Sequence, residues 1–246
     1  MEITILNANL WLLPPPAAID NNKRLFNLIK LIKKYSPDVI NLQEIWLNKY
    51  TNILKLNLPD YYLIKPKSFF INKSGLVTLT KFKPLNTSFS QYPKHKDFDA
   101  VEKVASKGYL KTTFQKEDKE ITLINTHIYE TLEQVKLKIK FGQIKHLLKK
   151  TLEHNPTIVA GDFNADTFNL PKGFKNLTAE DTHKPTYSLK NKYANILING
   201  IMNRHGVHYE KPDYVFANIK GANIKSQVIK NPLISDHYPI FAKITF

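Results

Sequence analysis

One arrangement occurs twice in this chain: an amphipathic stretch, a proline, a short apolar run and an acidic residue at the far end of that run. In the first copy Leu25, Leu28, Ile32 and Tyr35 recur at helical spacing over residues 21–35, with Asp20 as a candidate N-cap. Pro37 stops that helix, Asp38–Leu42 reads as a strand, and Glu44 follows. In the second copy Leu132, Val135, Ile139 and Leu147 or Leu148 mark a helix over 131–152. Pro156 comes next, then the short buried strand Thr157–Ala160, then Asp162. Helices alternating with buried strands predict a layered α/β fold. Ligand sites in such folds cluster at strand ends, where loops converge on a rigid frame, so Glu44 and Asp162 are expected at one rim.

The remaining pattern fits one domain spanning 1–246, with no repeat or linker to divide it. Residues 2–9 read as a strand, with hairpin-like strands around 75–82 and 108–115 and a further strand at 121–125. The runs PDYVFA from Pro212 and SDHYPIFAKI from Ser235 add strands near the end. The stretches 84–106 and 165–212, rich in Pro, Asn, Lys and His, read as long surface loops. Hydrophobic residues make up 42%, enough for a full core, yet no apolar run approaches the ~18 residues of a membrane span. The N-terminus enters a strand-like run without a secretory-signal pattern, so a cytoplasmic location or export by another route is expected. A monomer is expected too. With no cysteine there is neither a disulfide framework nor a thiolate metal site.

A net charge of +15 and a pI near 9.6 favour anionic partners. Arginine occurs only at Arg24 and Arg204, so lysine supplies nearly all of that charge. Lysine is a point charge without the bidentate fork that reads bases, which suits a polyanion or an anionic membrane surface better than sequence-specific readout. A solvated Lys-, Asn- and Ile-rich bias accounts for the charge equally well.

Five short polar motifs stand at the edges of apolar runs: Asn7-x-Asn9, Gln43-Glu44, Asn125-Thr126-His127, Gly161-Asp162-Phe163-Asn164 and Ser235-Asp236-His237. Together they gather carboxylates, amides and imidazoles as a hydrolytic metal site does. Glu44 suits a hard divalent cation, which takes one or two carboxylates plus water and phosphate oxygens. Gly161 permits a tight strand exit, and alternate residues Asp162 and Asn164 share a face from which to orient a water, a metal or a phosphate oxygen. His127 and His237 sit beside polar partners at strand edges, whereas His95, His146, His154, His183, His205 and His208 lie in loops or on helical faces and receive no role. An imidazole near pKa ~6.5 accepts a proton at neutral pH and needs an orienting acceptor, for which Asp213 is placed.

From NANLW through LQE, NTH, GDFN and PDYVF to SDH, the chain resembles the endonuclease/exonuclease/phosphatase superfamily, the deoxyribonuclease-like metallophosphoesterases, over essentially all its length. The resemblance implies a four-layer α/β sandwich of two packed mixed β-sheets flanked by helices. It also implies that Asn9 and Glu44 hold Mg²⁺ (Mn²⁺ as a substitute), with Asn7 a lesser candidate than Asn9, and that Asp236 assists the metal or the histidine. His127 would contact the scissile phosphate, Asp162 and Asn164 would position the nucleophile and phosphate, and Asp213 would orient His237 as general base.

Among branches, the chain is most similar to the neutral sphingomyelinases, through NLWLLP, SGLVTLTKFKP at 74–84, Lys107-Gly108 and NTHIY at 125–129. Lys107 is then a contact for the substrate phosphate, although Ser106 stands where some members carry an acidic partner. The inositol-polyphosphate phosphatase and abasic-site repair branches fit less well, since KPDYVFA replaces a Trp-Cys-Asp-Arg signature and the start reads NANLWLLPPP. The expected substrate is a phospholipid head-group phosphodiester, met by peripheral membrane contact, with nucleic acid second. Trp11-Leu12-Leu13 with the following prolines, Trp46-Leu47 and Phe69-Phe70-Ile71 are the candidate interfacial residues.

Overall fold

The computed structural model describes residues 1–68, 71–98, 100–131, 133–151, 156–166, 175–176, 184–196 and 211–246. The first half of the chain runs β1 (Glu2–Leu12), α1 (Asn21–Tyr35), β2 (Val39–Ile45), α2 (Asn48–Asn57), β3 (Tyr62–Ile64), β4 (Val77–Thr80), β5 (Pro84–Gln91) and α3 (Ala100–Val104). It continues with β6 (Gly108–Lys116), β7 (Lys119–His127), α4 (Gln134–Thr151), β8 (Thr157–Asp162) and β9 (Lys175–Asn176). The last elements are α5 (Lys192–Ile196), β10 (Asp213–Asn218), β11 (Asn223–Val228) and β12 (Ile240–Thr245). Among the described residues two six-stranded sheets form, in the orders β11-β12-β1-β2-β4-β3 and β5-β6-β7-β8-β10-β9. Both are mixed: β1 and β2 pair in parallel, as do β7 and β8, and the other pairings are antiparallel.

Period-two alternation along the strands sorts the apolar side chains into layers. On β1, Ile3 and Ile5 point between the sheets, where they meet Val39, Ile121, Leu123, Ile158, Val215 and Ile244. Leu6, Ala8, Leu10 and Leu12 point the other way, onto Leu25, Leu28 and Ile32 of α1 and Tyr50 and Leu54 of α2. On the far sheet Ile124, Val159 and Phe216 pack outward onto Ile144, Leu147 and Leu148 of α4. Helix, sheet, sheet, helix is therefore the layering, the four-layer sandwich that the family resemblance implies.

The inner faces change character along their length. β1 reads Ile3, Ile5, Asn7, Asn9; β2 reads Val39, Asn41, Gln43; β7 reads Ile121, Leu123, Asn125, His127; β8 reads Ile158, Ala160, Asp162. Apolar contact holds the sheets together at one end, and buried amides hold them at the other. Gln43 donates to Asn7 Oδ1 at 3.0 Å and across the gap to Asn125 Oδ1 at 2.7 Å. Asn125 donates back to the Leu42 and Val77 carbonyls, and Asn41 donates to those of Ile124 and Ala160.

Several local expectations change. Residues 84–91, read as loop, form the edge strand β5, whose one-sided, mostly exposed polar sequence carries little alternation. Residues 100–104 form a short helix. The strands near 75–82 and 108–115 are not hairpin partners, because β4 joins β2 and β3 while β6 pairs with β5 and β7 in the other sheet. Asn48–Asn57 is a helix that the sequence reading left unassigned. Asp20 occupies the N-cap position of α1 but makes no capping bond, and its carboxylate instead accepts from Tyr193 Oη at 3.1 Å. Helix α4 begins at Gln134 rather than 131; Leu132 and the side chain of Val135 lie outside the described residues, as does most of 165–212, which holds the short β9 and α5.

Gly161 is set by space: a Cβ there would lie 2.2 Å from the Thr126 carbonyl oxygen on the neighbouring strand. Gly161→Ala should lose stability on the scale of overpacked cores, about 1–3 kcal/mol. Gly142→Ala, in α4 with nothing within 4 Å of the added carbon, should instead gain up to ~1 kcal/mol of helix propensity. Urea unfolding of both variants reads the contrast, and equal midpoints would refute the packing argument.

Candidate active site

The ends of four strands, two from each sheet, meet at one rim. β1 and β2 deliver Asn9 and Glu44, and β7 and β8 deliver His127 and Asp162, the last two as register partners. Antiparallel β10 opens on Asp213 directly opposite Asp162. His237 precedes β12 and is tied down by a bridge to Tyr187 and by the Tyr238 N–H bond to the Thr186 carbonyl at 2.6 Å. Three of these strands leave the rim through left-handed residues other than glycine: Trp11 (φ 44°), Glu44 (φ 58°) and Asn164 (φ 48°). Such outliers persist only where surrounding contacts over-determine them. At Glu44 the holder is Gly75, itself at φ 68°, whose carbonyl accepts from Ile45 N–H at 2.9 Å and whose missing Cβ would lie 3.3 Å from the Glu44 backbone.

The polar contacts are specific. Asn9 Nδ2 donates to Glu44 Oε1 at 3.1 Å and to Asp162 Oδ2 at 2.8 Å. Its Oδ1 accepts from Trp11 N–H at 3.0 Å, which fixes the amide with its nitrogen toward the two carboxylates. Asp213 Oδ2 and His237 Nδ1 are 2.8 Å apart, and His237 Nε2 lies 4.0 Å from Asp162 Oδ2. His127 Nε2 approaches the same oxygen to 3.8 Å, while its buried Nδ1 has no hydrogen-bond partner among the described residues. Asp236 accepts from Ser235 Oγ at 2.7 Å and from His237 N–H at 3.2 Å. Asn164 donates its side-chain amide to the Ile128 carbonyl and its N–H to Asp162 Oδ1, so it braces the Asp162 turn.

Burial and crowding of charge set the protonation states. Burial pushes the Asp162 carboxyl up to about 7, with Asp213 adding to the rise and His237 and Asn9 opposing it. Glu44 is raised by desolvation and by Asp236, against the Asn9 hydrogen bond and Lys107. The sequence alone predicts an unperturbed imidazole at His237, with a pKa of ~6.5. Burial does penalise its charged form, but Asp213, Asp236 and Asp162 outweigh that and raise its pKa well above 6.5. His127 goes the other way, lowered by burial, Lys107 and His237, and is neutral at pH 7.

The structure thus gathers Asn9, Glu44, His127, Asp162, Asp213 and His237 by direct contacts, with Asp236 beside His237 and in electrostatic reach of Glu44. Asn7 is fully buried in the inter-sheet network. Lys107 lies within electrostatic reach of His127 and Glu44, but its ammonium is ion-paired with Glu102 at 2.6 Å. That is the acidic partner sought at position 106; reading 100–104 as a helical turn would have brought it into view. Glu44, Asp236 and Asp162 offer hard oxygens; burial and then Asp236 raise the pKa of Glu44, burial and then Asp213 raise that of Asp162, and a cation among them would relieve that cost. Asp162, Asp213 and His237 also place ligand atoms within 4.8 Å of one another, although Asp213 and His237 are engaged with each other. The oxygen-rich set fits a hard divalent ion.

The Asp213–His237 pair carries a pH signature. Because the folded-state pKa of His237 lies above 6.5, the imidazolium contributes stability that is fully present below that pH and is lost as pH rises through the raised folded value. Asp213→Asn should therefore destabilise chelator-treated protein most below pH 6.5, with the difference from wild type shrinking at higher pH. Urea midpoints across pH 5–9 measure it, and a difference that grows with pH would contradict the assignment.

In sequence, residues 6–237 match the Endonuclease/Exonuclease/phosphatase family. Among curated proteins none matches the chain. Among solved structures, D. rerio TDP2 complexed with single strand DNA product is 18% identical with a TM-score of 0.78, over 100% of this chain and 99% of that one. Beta toxin 275-280 from Staphylococcus aureus is 17% identical with a TM-score of 0.76, over 98% and 99% of the two chains. An endonuclease/exonuclease/phosphatase family protein from Leptotrichia buccalis C-1013-b is 21% identical with a TM-score of 0.68, over 99% and 100%. At these identities the structural likenesses establish the fold. With the family pattern spanning nearly the whole chain and its motifs converging on one rim, this protein belongs to the endonuclease/exonuclease/phosphatase family of metal-dependent phosphodiester hydrolases.

Proposed function

We propose that the chain is a monomeric Mg²⁺-dependent phosphodiesterase, with Mn²⁺ able to substitute, that hydrolyses a phospholipid head-group phosphodiester at a membrane surface. The observation that carries the phosphodiesterase reading is the convergence of Glu44, Asp162, His127 and the Asp213–His237 pair on one rim. Glu44 and Asp236 would hold the ion; Asn9, expected from the resemblance as a further ligand, spends its Oδ1 on Trp11 N–H and presents an amide donor, so it would brace Glu44 instead. Bound there, the ion supplies Lewis-acid stabilisation of the nonbridging phosphate oxygens.

The chain's own residues do the rest. Water attacks phosphorus in line and loses its proton to Asp162, whose carboxyl near 7 is matched to neutral pH. His237, held as imidazolium by Asp213, favours the ionised form of Asp162 and stabilises negative charge as it develops. Neutral His127 offers a ring N–H to a phosphate oxygen, and Asn164 keeps the Asp162 turn rigid. On sphingomyelin the P–O bond to ceramide would break as the water oxygen bonds to phosphorus, the departing oxygen would take a proton from solvent to leave as ceramide, and phosphocholine would be released.

The lipid preference rests on the sphingomyelinase-like motifs and on apolar surface beside the rim. Ile71 is 53% exposed and bridges to Leu47, which follows Glu44 closely in sequence. Pro14, Pro15 and Pro16 are exposed and Leu13 is half-buried. Trp11 and Leu12 are buried and cannot dock, half-buried Trp46 leans on Gly75, and Phe69 and Phe70 lie outside the described residues. A nucleic-acid substrate is the second reading, favoured by the +15 charge and by the likeness to a TDP2 bound to a single strand of DNA.

Glu44→Ala should abolish turnover of bis-p-nitrophenyl phosphate with little change in melting temperature, and EDTA should silence the wild type until Mg²⁺ or Mn²⁺ is restored. Full turnover in excess chelator would end the metal assignment. His237→Ala should cost at least ~10² in rate at neutral pH. Ile71→Glu should weaken action on sphingomyelin vesicles far more than on the soluble diester, since only the former requires docking. Plasmid nicking faster than phosphocholine release, indifferent to Ile71→Glu and steeply salt-dependent, would select the nucleic-acid reading.

A further inference from the structure

Arg24, on the buried face of α1, is fully buried. A guanidinium has five N–H donors, and all five are committed: Nε to the Ile19 carbonyl at 2.9 Å, Nη1 to the Leu10 and Ile234 carbonyls, and Nη2 to the Trp11 carbonyl at 2.8 Å and Asn21 Oδ1 at 2.6 Å. The rings of Trp11 and Tyr193 lie 5.1 and 5.4 Å from its central carbon. None of its hydrogen-bond acceptors is a carboxylate, so neither packing alone nor a salt bridge explains a charge placed here.

The acceptors explain it better. Leu10 and Trp11 directly follow Asn9, and Ile234 directly precedes Ser235-Asp236-His237. Trp11 stands in the left-handed region, and the β1–β2 register slips between Asn9 and Leu12 at the same place. From that kink the Trp11 N–H reaches Asn9 Oδ1, turning the Asn9 amide nitrogen toward Glu44 and Asp162. We infer that Arg24 is a positioning residue that locks the kinked end of β1 to the segment carrying Asp236 and His237, and through Trp11 and Asn9 sets Glu44 and Asp162. This rests on the phosphodiesterase reading of the site. Lysine cannot substitute: its three donors leave one nitrogen and cannot span carbonyls from three segments.

The experiment compares wild type with Arg24→Lys. With Mg²⁺ and bis-p-nitrophenyl phosphate, kcat should fall at least about 10-fold while KM stays within about twofold, since displaced groups cost rate at the chemical step. In proton NMR of chelator-treated protein, the His237 ring N–H held by Asp213 should shift or broaden. If Arg24→Lys does not fold, Asn21→Ala, which removes one acceptor and keeps the charge, should move both readouts the same way by about two- to fivefold in kcat. A folded Arg24→Lys, or failing that a folded Asn21→Ala, with wild-type kcat and an unmoved His237 resonance overturns the inference. If wild type itself does not turn over the diester, the proposed function fails separately, and the resonance alone decides the role of Arg24.

Discussion

The amide network between the sheets is the constraint on which the rest of the structure depends. Apolar packing alone would let two sheets slide, because hydrophobic contact is non-directional. Asn41, Gln43 and Asn125 remove that freedom, since each spends its amide hydrogens on named acceptors that lie largely in the opposite sheet. A buried amide left without a partner costs about 1–3 kcal/mol, so any other register forfeits several such bonds together. Asn9, Glu44, His127 and Asp162 stand just beyond these residues along the strands. Fixing the amides therefore fixes the distances across the site.

The second organising force is repulsion. Four carboxylates, Glu44, Asp162, Asp213 and Asp236, lie near one another in a poorly solvated rim, with His237 among three of them. Their neighbours answer unequally. Asp213 is paired with imidazole, Asp162 shares Asn9 with Glu44 and keeps a raised pKa, and the half-buried Glu44 has Asn9 as its hydrogen-bonding partner. In the proposed mechanism this inequality separates the roles: Asp213 would orient His237, Asp162 would exchange the proton, and Glu44 would be left for a cation. The same inequality is why the proposed proton acceptor is Asp162 rather than His237, whose pKa is raised well above that of a free imidazole.

Backbone strain supplies the third element. Trp11, Glu44 and Asn164 all take left-handed conformations where β1, β2 and β8 leave the rim, and each is held by a different device. Arg24 grips the Trp11 carbonyl, Gly75 backs Glu44, and the Asp162 carboxylate accepts from Asn164 N–H while Lys140 donates to its carbonyl at 2.6 Å. Up to Asn9 the β1–β2 pair keeps an unbroken register, as the β7–β8 pair does to Asp162, so these left-handed residues stand where side chains must turn toward a common point.

Much of this was legible in the linear chain. The repeated helix, proline, strand and acid placed Glu44 and Asp162 at strand ends, and the ordered motifs named the residues that meet there, because alternation and breakers are local properties. Edge strand β5 and helix α2 escaped, since an exposed edge alternates little and a helix of 10 residues repeats its apolar spacing only a few times. Glu102 beside Lys107 escaped because the short helix α3 reads as loop, and Arg24 beneath Trp11 escaped for another reason: its partners come from separate segments, and no spacing encodes them. Protonation was equally hidden, because the pKa of His237 depends on Asp213 and Asp162 arriving from other strands. The sequence by itself determined which strands form and which chemistry sits at their ends. Only the tertiary structure decided which way Asn9 turns, which carboxylate is tuned to neutral pH and which apolar residues remain outside, because those follow from burial and from partners distant along the chain.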